Sequence, residues 1–309
     1  MCIRDSLLYD EIGCAALPKK YLNSLKKAGV FVSPFNSARV IKTKLQINFR
    51  NHRKIIVADG VRGWAGGSNI GDEYRGLNKN FGAWRDTNLK ITGPAVLGLQ
   101  ISFFEDWHWA KDEVLQLNWE PKPAEPGEKQ VLILHSGPAD KQDTAWLMFQ
   151  HIINSAKKRF WIASPYFVPD DGIKAALQLA VLRGVDVRVL LPDRPDHILV
   201  YLSAFAIVGD MINSGVKIYR YQPGFMHQKV FIADDSYSGI GTANLDNRSF
   251  RLNFEVTTII KDRGFNTDTA KMLEADFENS VKMKIEDIEK KPFLFKAAAR
   301  AAYLLAPVQ

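Results

Sequence analysis

The sequence predicts an α/β fold in which one α–β–α sandwich unit occurs twice along the chain. Three observations carry this: a nine-residue internal repeat, an alternation of strands with amphipathic helices, and a continuous run of β-branched residues and leucine typical of a buried strand. The repeat sets Asn51-His52-Arg53-Lys54-Ile55-Ile56-Val57-Ala58-Asp59 against Met226-His227-Gln228-Lys229-Val230-Phe231-Ile232-Ala233-Asp234, so that His, Lys and Asp coincide around an apolar stretch. Ten residues beyond each Asp stands an Asn, in Gly66-Gly67-Ser68-Asn69 and in Gly241-Thr242-Ala243-Asn244. Upstream, Ala28-Gly29-Val30 pairs with Ser214-Gly215-Val216, and Leu7-Leu8-Tyr9-Asp10 with Leu190-Leu191-Pro192-Asp193.

The elements of the second copy follow in order. Residues 131–134 read as a strand. Ala145, Met148, Phe149, Ile152, Ile153 and Ala156 form one helical stripe at period 3.6. Residues 160–166 read as a second strand. Ile173, Ala176, Leu177, Ala180 and Val181 make another helical stripe, which Gly184 stops. Residues 187–191 are the buried strand, and residues 198–208 an apolar run too short to span a bilayer. That run reads as a buried helix, with an apolar lip that admits lipid chains as the alternative. The first copy starts late: six residues precede Leu7, where the second copy has about sixty between Val131 and Leu190. The chain is therefore expected to be N-terminally incomplete. Residues 118–130, with three prolines, a glycine and several charges, read as a linker. The expected division is a first repeat over 1–117, the linker over 118–130, a second repeat over 131–288 and a basic, apolar tail over 289–309.

Composition narrows the partners. Apolar residues make up 46% and charged residues 24%, a globular balance, with a net charge of +7 and a pI near 9.2. Such a charge favours phospholipid head groups, a membrane surface or nucleic acid. No basic and aromatic stacking platform for nucleic acid stands out. Cys2 and Cys14 have neither disulfide-framework nor zinc-ligand spacing.

The repeated motif carries the chemistry. Residues two apart on extended backbone face one side, so His52 points with Lys54, and His227 with Lys229. A neutral imidazole can attack phosphorus, an imidazolium can protonate a leaving oxygen, and an ammonium holds the phosphate. Environments that push the two histidines apart in pKa would assign the roles. Asn69 and Asn244, with the hydroxyls of Ser68 and Thr242, are candidates to stabilise the non-bridging oxygens. Asp86 and Glu255, 34 and 28 residues after their own repeat's histidines, are the candidate carboxylates behind the imidazoles. Asp59 and Asp234 complete the motif but end its strand, a place from which a side chain holds a turn. No Cys or acidic ligand set accompanies the histidines, so neither a metal nor another cofactor is expected. Among the other histidines, His108 reads as the end of an aromatic helix, His135 and His151 as exposed or border positions, and His197 as a loop residue that could touch substrate.

The duplicated motif resembles the phospholipase D superfamily, whose active site is built from two HxKxxxxD motifs. Asn69-Ile70-Gly71-Asp72-Glu73-Tyr74, Phe104-Glu105-Asp106-Trp107, Ser164-Pro165-Tyr166-Phe167-Val168-Pro169, Gly184-Val185-Asp186-Val187-Arg188 and Asn244-Leu245-Asp246-Asn247-Arg248-Ser249-Phe250 narrow it to the bacterial cardiolipin synthases of that type. The resemblance runs from about Leu7 to the C-terminus. It implies a pseudo-twofold pair of α-β-α sandwich repeats with the active site between them. It also implies a catalytic set of His52, Lys54, Asp59, His227, Lys229 and Asp234, with His52 as nucleophile and His227 as acid and then base. The implied reaction joins two phosphatidylglycerol molecules into cardiolipin and glycerol through a phosphohistidine, without metal or nucleotide. A phosphodiesterase that hydrolyses phospholipid or nucleic acid is the alternative. The implied partners are phosphatidylglycerol and an anionic membrane surface, with no nucleic acid. The implied place is the bacterial inner membrane, on its cytoplasmic side or peripheral to it. Family members usually carry hydrophobic N-terminal helices as anchors. The basic stretch from Lys291 to Arg300 and the apolar end after it could lie on an anionic surface.

Overall fold

A computed structural model describes residues 5–35, 49–79 and 81–308; Cys2 lies outside them. The first repeat opens with β1 (Ser6–Tyr9), α1 (Lys19–Lys27) and β2 (Phe31–Pro34), and the two strands pair in parallel. Then come β3 (Arg50–Asn51), β4 (Ile55–Ala58), β5 (Arg62–Gly66), β6 (Ala83–Arg85), β7 (Asn88–Thr92) and α2 (Val96–Lys111). Strands β4, β5 and β7 make an antiparallel sheet on which α2 lays Val96 and Leu99, against Ala65 and Ile91.

The second repeat runs β8 (Gln130–Ser136), α3 (Thr144–Ser155), β9 (Arg159–Ala163), β10 (Phe167–Val168), α4 (Asp171–Leu182), β11 (Asp186–Pro192), α5 (Ile198–Asn213), β12 (Lys217–Tyr221), β13 (Gly224–Met226), β14 (Val230–Ala233), β15 (Tyr237–Gly241), β16 (Leu245–Asp246), α6 (Asn247–Arg251), β17 (Asn253–Lys261), α7 (Arg263–Glu278) and β18 (Ser280–Lys282). Its sheet has the order β18-β12-β11-β9-β14-β15-β17-β3, with β8 also on β17. Helices cover both faces. Phe149, Ile153, Ile173 and Leu177 of α3 and α4 pack on one side, and Leu273 and Phe277 of α7 on the other. Burial on both faces is why β14 reads Val-Phe-Ile-Ala without alternation. Each fully buried large side chain contributes about 1.5–3 kcal/mol. The predicted stripes hold: Ile173, Ala176, Leu177 and Ala180 are buried, Asp170 caps α4 by accepting from the Ile173 N–H, and Gly184 leaves the helix at φ +84°.

Three expectations change. The strand expected over 160–166 ends at Ala163, because Ser164 turns the chain: its hydroxyl donates to the Tyr166 carbonyl and accepts from the Leu245 N–H. His135 lies inside β8, not after it. The second repeat closes with α8 (Ile285–Glu289), and the expected tail forms α9 (Phe293–Tyr303). Helix α9 packs on α5, buries Ala299 and Ala302, and leaves Phe293 and Leu294 outward. No helix among the described residues is long and apolar enough to cross a membrane.

The two repeats exchange strands at their contact. Strand β3, leading into the first motif, pairs with the start of β17, while β13, leading into the second, pairs with β6 of the first repeat. A side chain at Gly224 would meet the Ala83 carbonyl, so only glycine admits the second crossing. Val256 of β17 lies inside the core of the first repeat.

Asp59 and Asp234, in the implied catalytic set, are not carried to the histidines. Both end their strands in the left-handed region, φ 57° and 53°, which Asp tolerates better than most residues. The Asp234 carboxylate accepts from the backbone N–H groups of Lys157, Lys158 and Arg159 and so fastens the α3–β9 turn to the β14–β15 turn. Asp234→Ala is expected to cost about 2 kcal/mol and Asp59→Ala about 1 kcal/mol in urea unfolding, since both lose a left-handed Asp but only the first loses that clamp.

Candidate active site

His52 and His227 each follow a crossing strand, and the two crossings are built alike. The His52 N–H donates to the Phe254 carbonyl and the His227 N–H to the Arg85 carbonyl, each 2.8–2.9 Å long. The next residues on the receiving strands are Glu255 and Asp86. His52 Nδ1 lies 2.9 Å from Glu255 Oε2, and His227 Nδ1 lies 2.9 Å from Asp86 Oδ2. Both expected orienters are in place, but each serves the histidine of the other repeat. Pairing within a repeat, as the spacing suggests, is wrong because the strands have crossed.

The carboxylates are held unequally. Glu255 is fully buried and also accepts from Thr242 Oγ1 at 2.5 Å, Ser249 Oγ at 2.9 Å and Asn253 Nδ2 at 3.0 Å. Burial works to raise its pKa, but His52, Lys54 and Thr242 outweigh it and hold it at about 2. Asp86 accepts from the Thr87 N–H and stands against Gly67, where a Cβ would fall 2.1 Å from its Oδ1. Burial pushes Asp86 up, yet its bond to His227 and the Lys229 charge keep it below the usual carboxylate range.

Each motif lysine folds back so that its Nζ donates to its own histidine's carbonyl at 2.8 Å, and Lys229 Nζ also sits 2.9 Å from the His227 ring nitrogens. Burial pushes Lys54 down to about 8 and Lys229 down to about 7. It pushes His52 down too, against the pull of Glu255, and with the Lys229 ammonium it takes His227 to about 3, against Asp86. His52 feels the charge of Lys229, and His227 that of Lys54, so the four form one electrostatic cluster. Burial and the neighbouring lysine charges therefore drive both imidazoles toward the neutral form, against the pull of their carboxylates.

The supporting residues divide. Asn244 is buried, its N–H donates to Ser249 Oγ, and its amide oxygen finds no partner among the described residues. Asn69 is exposed and donates to the Tyr74 hydroxyl at 2.6 Å. Ser68 Oγ accepts from Asn88 Nδ2. Thr242, expected to face a phosphate, is committed to Glu255 instead.

Several neighbours escaped the sequence reading. The residue between His and Lys anchors each motif from behind. Arg53 pairs with Asp106 of α2 at 2.7 Å, and Gln228 Nε2 bonds Asp276 of α7 at 2.8 Å, where Arg85 also binds. The shared polar character of positions 53 and 228 is the signal that could have shown it. Trp84 and Phe225 lie beside the His227 ring, centroids 5.1 and 6.0 Å away, and Tyr74 at 6.2 Å. His108, His135, His151 and His197 bond no member of the cluster, and among the described residues no group of three or more His, Cys, Asp or Glu is placed to hold a metal ion.

Residues 149–281 match the family described as cardiolipin synthase, PLD-like domain. The chain is 48% identical over 304 residues to cardiolipin synthase A of Pseudomonas entomophila (strain L48) and 47% identical over 301 residues to that of Pseudomonas aeruginosa (strain LESB58), which covers 98% and 97% of this chain. Residues 149–281 are thus similar to a phospholipase D-like domain, and the likeness to the cardiolipin synthases A runs along nearly the whole chain. The chain spans 63% and 61% of the length of those two relatives. The fold of phosphatidylserine synthase from Haemophilus influenzae Rd KW20 superposes with a TM-score of 0.73 over 99% of this chain and 82% of that one, at 16% identity. That likeness shows a phospholipase D-like pair of α/β repeats.

Two measurements check the site. In Glu255→Gln, the ring ¹⁵N shifts of His52 are expected to move and those of His227 to stay, with the converse in Asp86→Asn; pairing within a repeat gives the opposite pattern. Lys229→Met is expected to raise the melting temperature at pH 7. The folded pKa of Lys229, about 7, lies below its unfolded value, so stability lost to the buried cation is regained only as pH rises from about 7 toward 10.5. Tungstate, a tetrahedral oxyanion that stands in for phosphate, is expected to stabilise the unsubstituted protein by about 2.7 kcal/mol at a hundredfold excess over Kd, and Lys229→Met to abolish that gain.

Proposed function

We propose that this chain is a phosphatidyltransferase that makes cardiolipin from two phosphatidylglycerol molecules through a phosphohistidine. The observation that carries this is the crossed pair of imidazoles, each with Nδ1 on a buried carboxylate, beside two buried lysines, one of which reaches the His227 ring itself. A site that couples two histidines and two cations suits one phosphodiester, whose charge offsets the burial of Lys54 and Lys229.

In the proposed reaction His52 Nε2 attacks phosphorus, the P–N bond forms, and the P–O bond to glycerol breaks as His227 gives its proton to the departing oxygen. His227 then takes the proton of a second phosphatidylglycerol hydroxyl. That oxygen bonds phosphorus and the P–N bond breaks. Support for His52 as nucleophile is the greater exposure of its side chain, 26% against 9%, and a Glu255 partner kept ionised by four donors. For His227 to start as the acid it must take up a proton, which the anionic phosphodiester favours against burial and the Lys229 charge. The names of the relatives at 47–48% identity support the product. The basic charge supports an anionic membrane surface as the place of work.

Incubation with phosphatidylglycerol vesicles, read by mass spectrometry, is expected to give cardiolipin and glycerol, and His52→Ala and His227→Ala each to lower the rate roughly a thousandfold or more. Phosphatidic acid without cardiolipin would make the chain a hydrolase.

A further inference from the structure

A narrow cleft opens at the carboxyl ends of the parallel strands β9, β11 and β12, where α/β sheets place ligands. Helix α5 forms its outer wall. Leu191, Val200, Ala204, Phe205, Val208 and Met283 make its lining apolar. One end is polar: Tyr166 donates to Asp196 at 2.5 Å, and His197 stands next to them. That end neighbours the catalytic cluster without bonding to it. Ala163 pairs with Val230, which directly follows Lys229, and the Ser164 turn that carries Tyr166 is bonded to Leu245, next to Asn244. Asp196 lies within electrostatic reach of both Lys229 and Tyr74. At the start of α5, Ile198 and Leu199 remain 64% and 40% exposed, so the apolar path continues to the surface.

An amphiphile fits this gradient. A phosphate held by the lysines places whatever is esterified to it at the Tyr166–Asp196 end, and a hydrocarbon chain gains from burial along the apolar wall, where water finds few partners. We propose that the cleft under α5 holds an acyl chain of the phospholipid whose phosphate lies between His52 and His227. The proposal rests on the reading of the chain as a phosphatidyltransferase and adds the seat of the lipid tail. Residues 198–208 are then both a packed helix and the lip of a lipid slot.

Calorimetric titration with monomeric 1-myristoyl-lysophosphatidylglycerol and its 1-hexanoyl analogue tests it without turnover. The unsubstituted protein is expected to bind the longer chain at least about tenfold more tightly, the gain from burying as few as two methylene groups. Val200→Trp and Ala204→Phe, which fill the slot from its mouth and its middle, are expected to reduce that preference to within about threefold. The melting shift each variant shows with tungstate reports whether its phosphate site is intact. Equal affinity for both chains, or a preference that survives in both variants, would overturn the proposal. Failure of the phosphatidyltransferase reading would show elsewhere, as vesicles that yield no phosphatidyl product while the chain-length preference persists.

Discussion

Glu255 is a carboxylate with no exposure to water, and what keeps it ionised is His52, which belongs to the other half of the molecule. Asp86 and His227 repeat the arrangement in the opposite sense. A buried carboxylate without donors is costly, so each half needs the other's imidazole to complete its own interior. The same contact gives each imidazole a fixed ring orientation. Assembly of the two repeats and assembly of the site are one event, because the strands that deliver the histidines, β3 and β13, are hydrogen-bonded to strands of the opposite repeat. The second layer follows the same symmetry, with Arg53 on Asp106 and Gln228 on Asp276 tying each motif to the long helix of its own repeat.

The charges inside this contact do not favour folding. Two ammoniums and two imidazoles crowd one buried region, and each loses affinity for its proton. Such a cluster resembles a functional site more than a structural one, because an interior selected for stability alone would replace it with apolar side chains. The anionic phosphodiester of the proposed reaction would reverse the balance. The two sides are also unequal. Glu255 has Thr242, Ser249 and Asn253 behind it, while Asp86 has the Thr87 N–H and, at 3.4 Å, the Trp84 indole N–H. A duplicated motif thus sits in two different surroundings, the condition for giving two copies of one residue different tasks.

Much of this was legible in the residues. The helical stripes of α3 and α4 and the buried strand β11 follow from periodicity, since burial on one face or on two leaves different patterns. Repetition of His, Lys, Asp and Asn at one spacing marked the two motifs, and the carboxylates at 86 and 255 were found by asking what an imidazole needs behind it. Asp59 and Asp234 read correctly as turn residues at their strand ends and entered the catalytic set only through the resemblance, whereas the partner of Thr242 depends on which strands meet in space. Thr242 turns to Glu255, and Asp234 spans 75 residues of sequence to cap the N–H of Arg159.

By itself the sequence determined that this protein is built of two α/β repeats and carries two copies of one His-Lys-Asp motif, because periodicity and spacing along one chain encode secondary structure and repetition. Only the tertiary structure decided which carboxylate serves which histidine, that both imidazoles are driven neutral, and that an apolar cleft opens at the polar edge of the site. Those depend on strand crossing, burial and the sum of charges through space, none of which has a fixed distance in sequence.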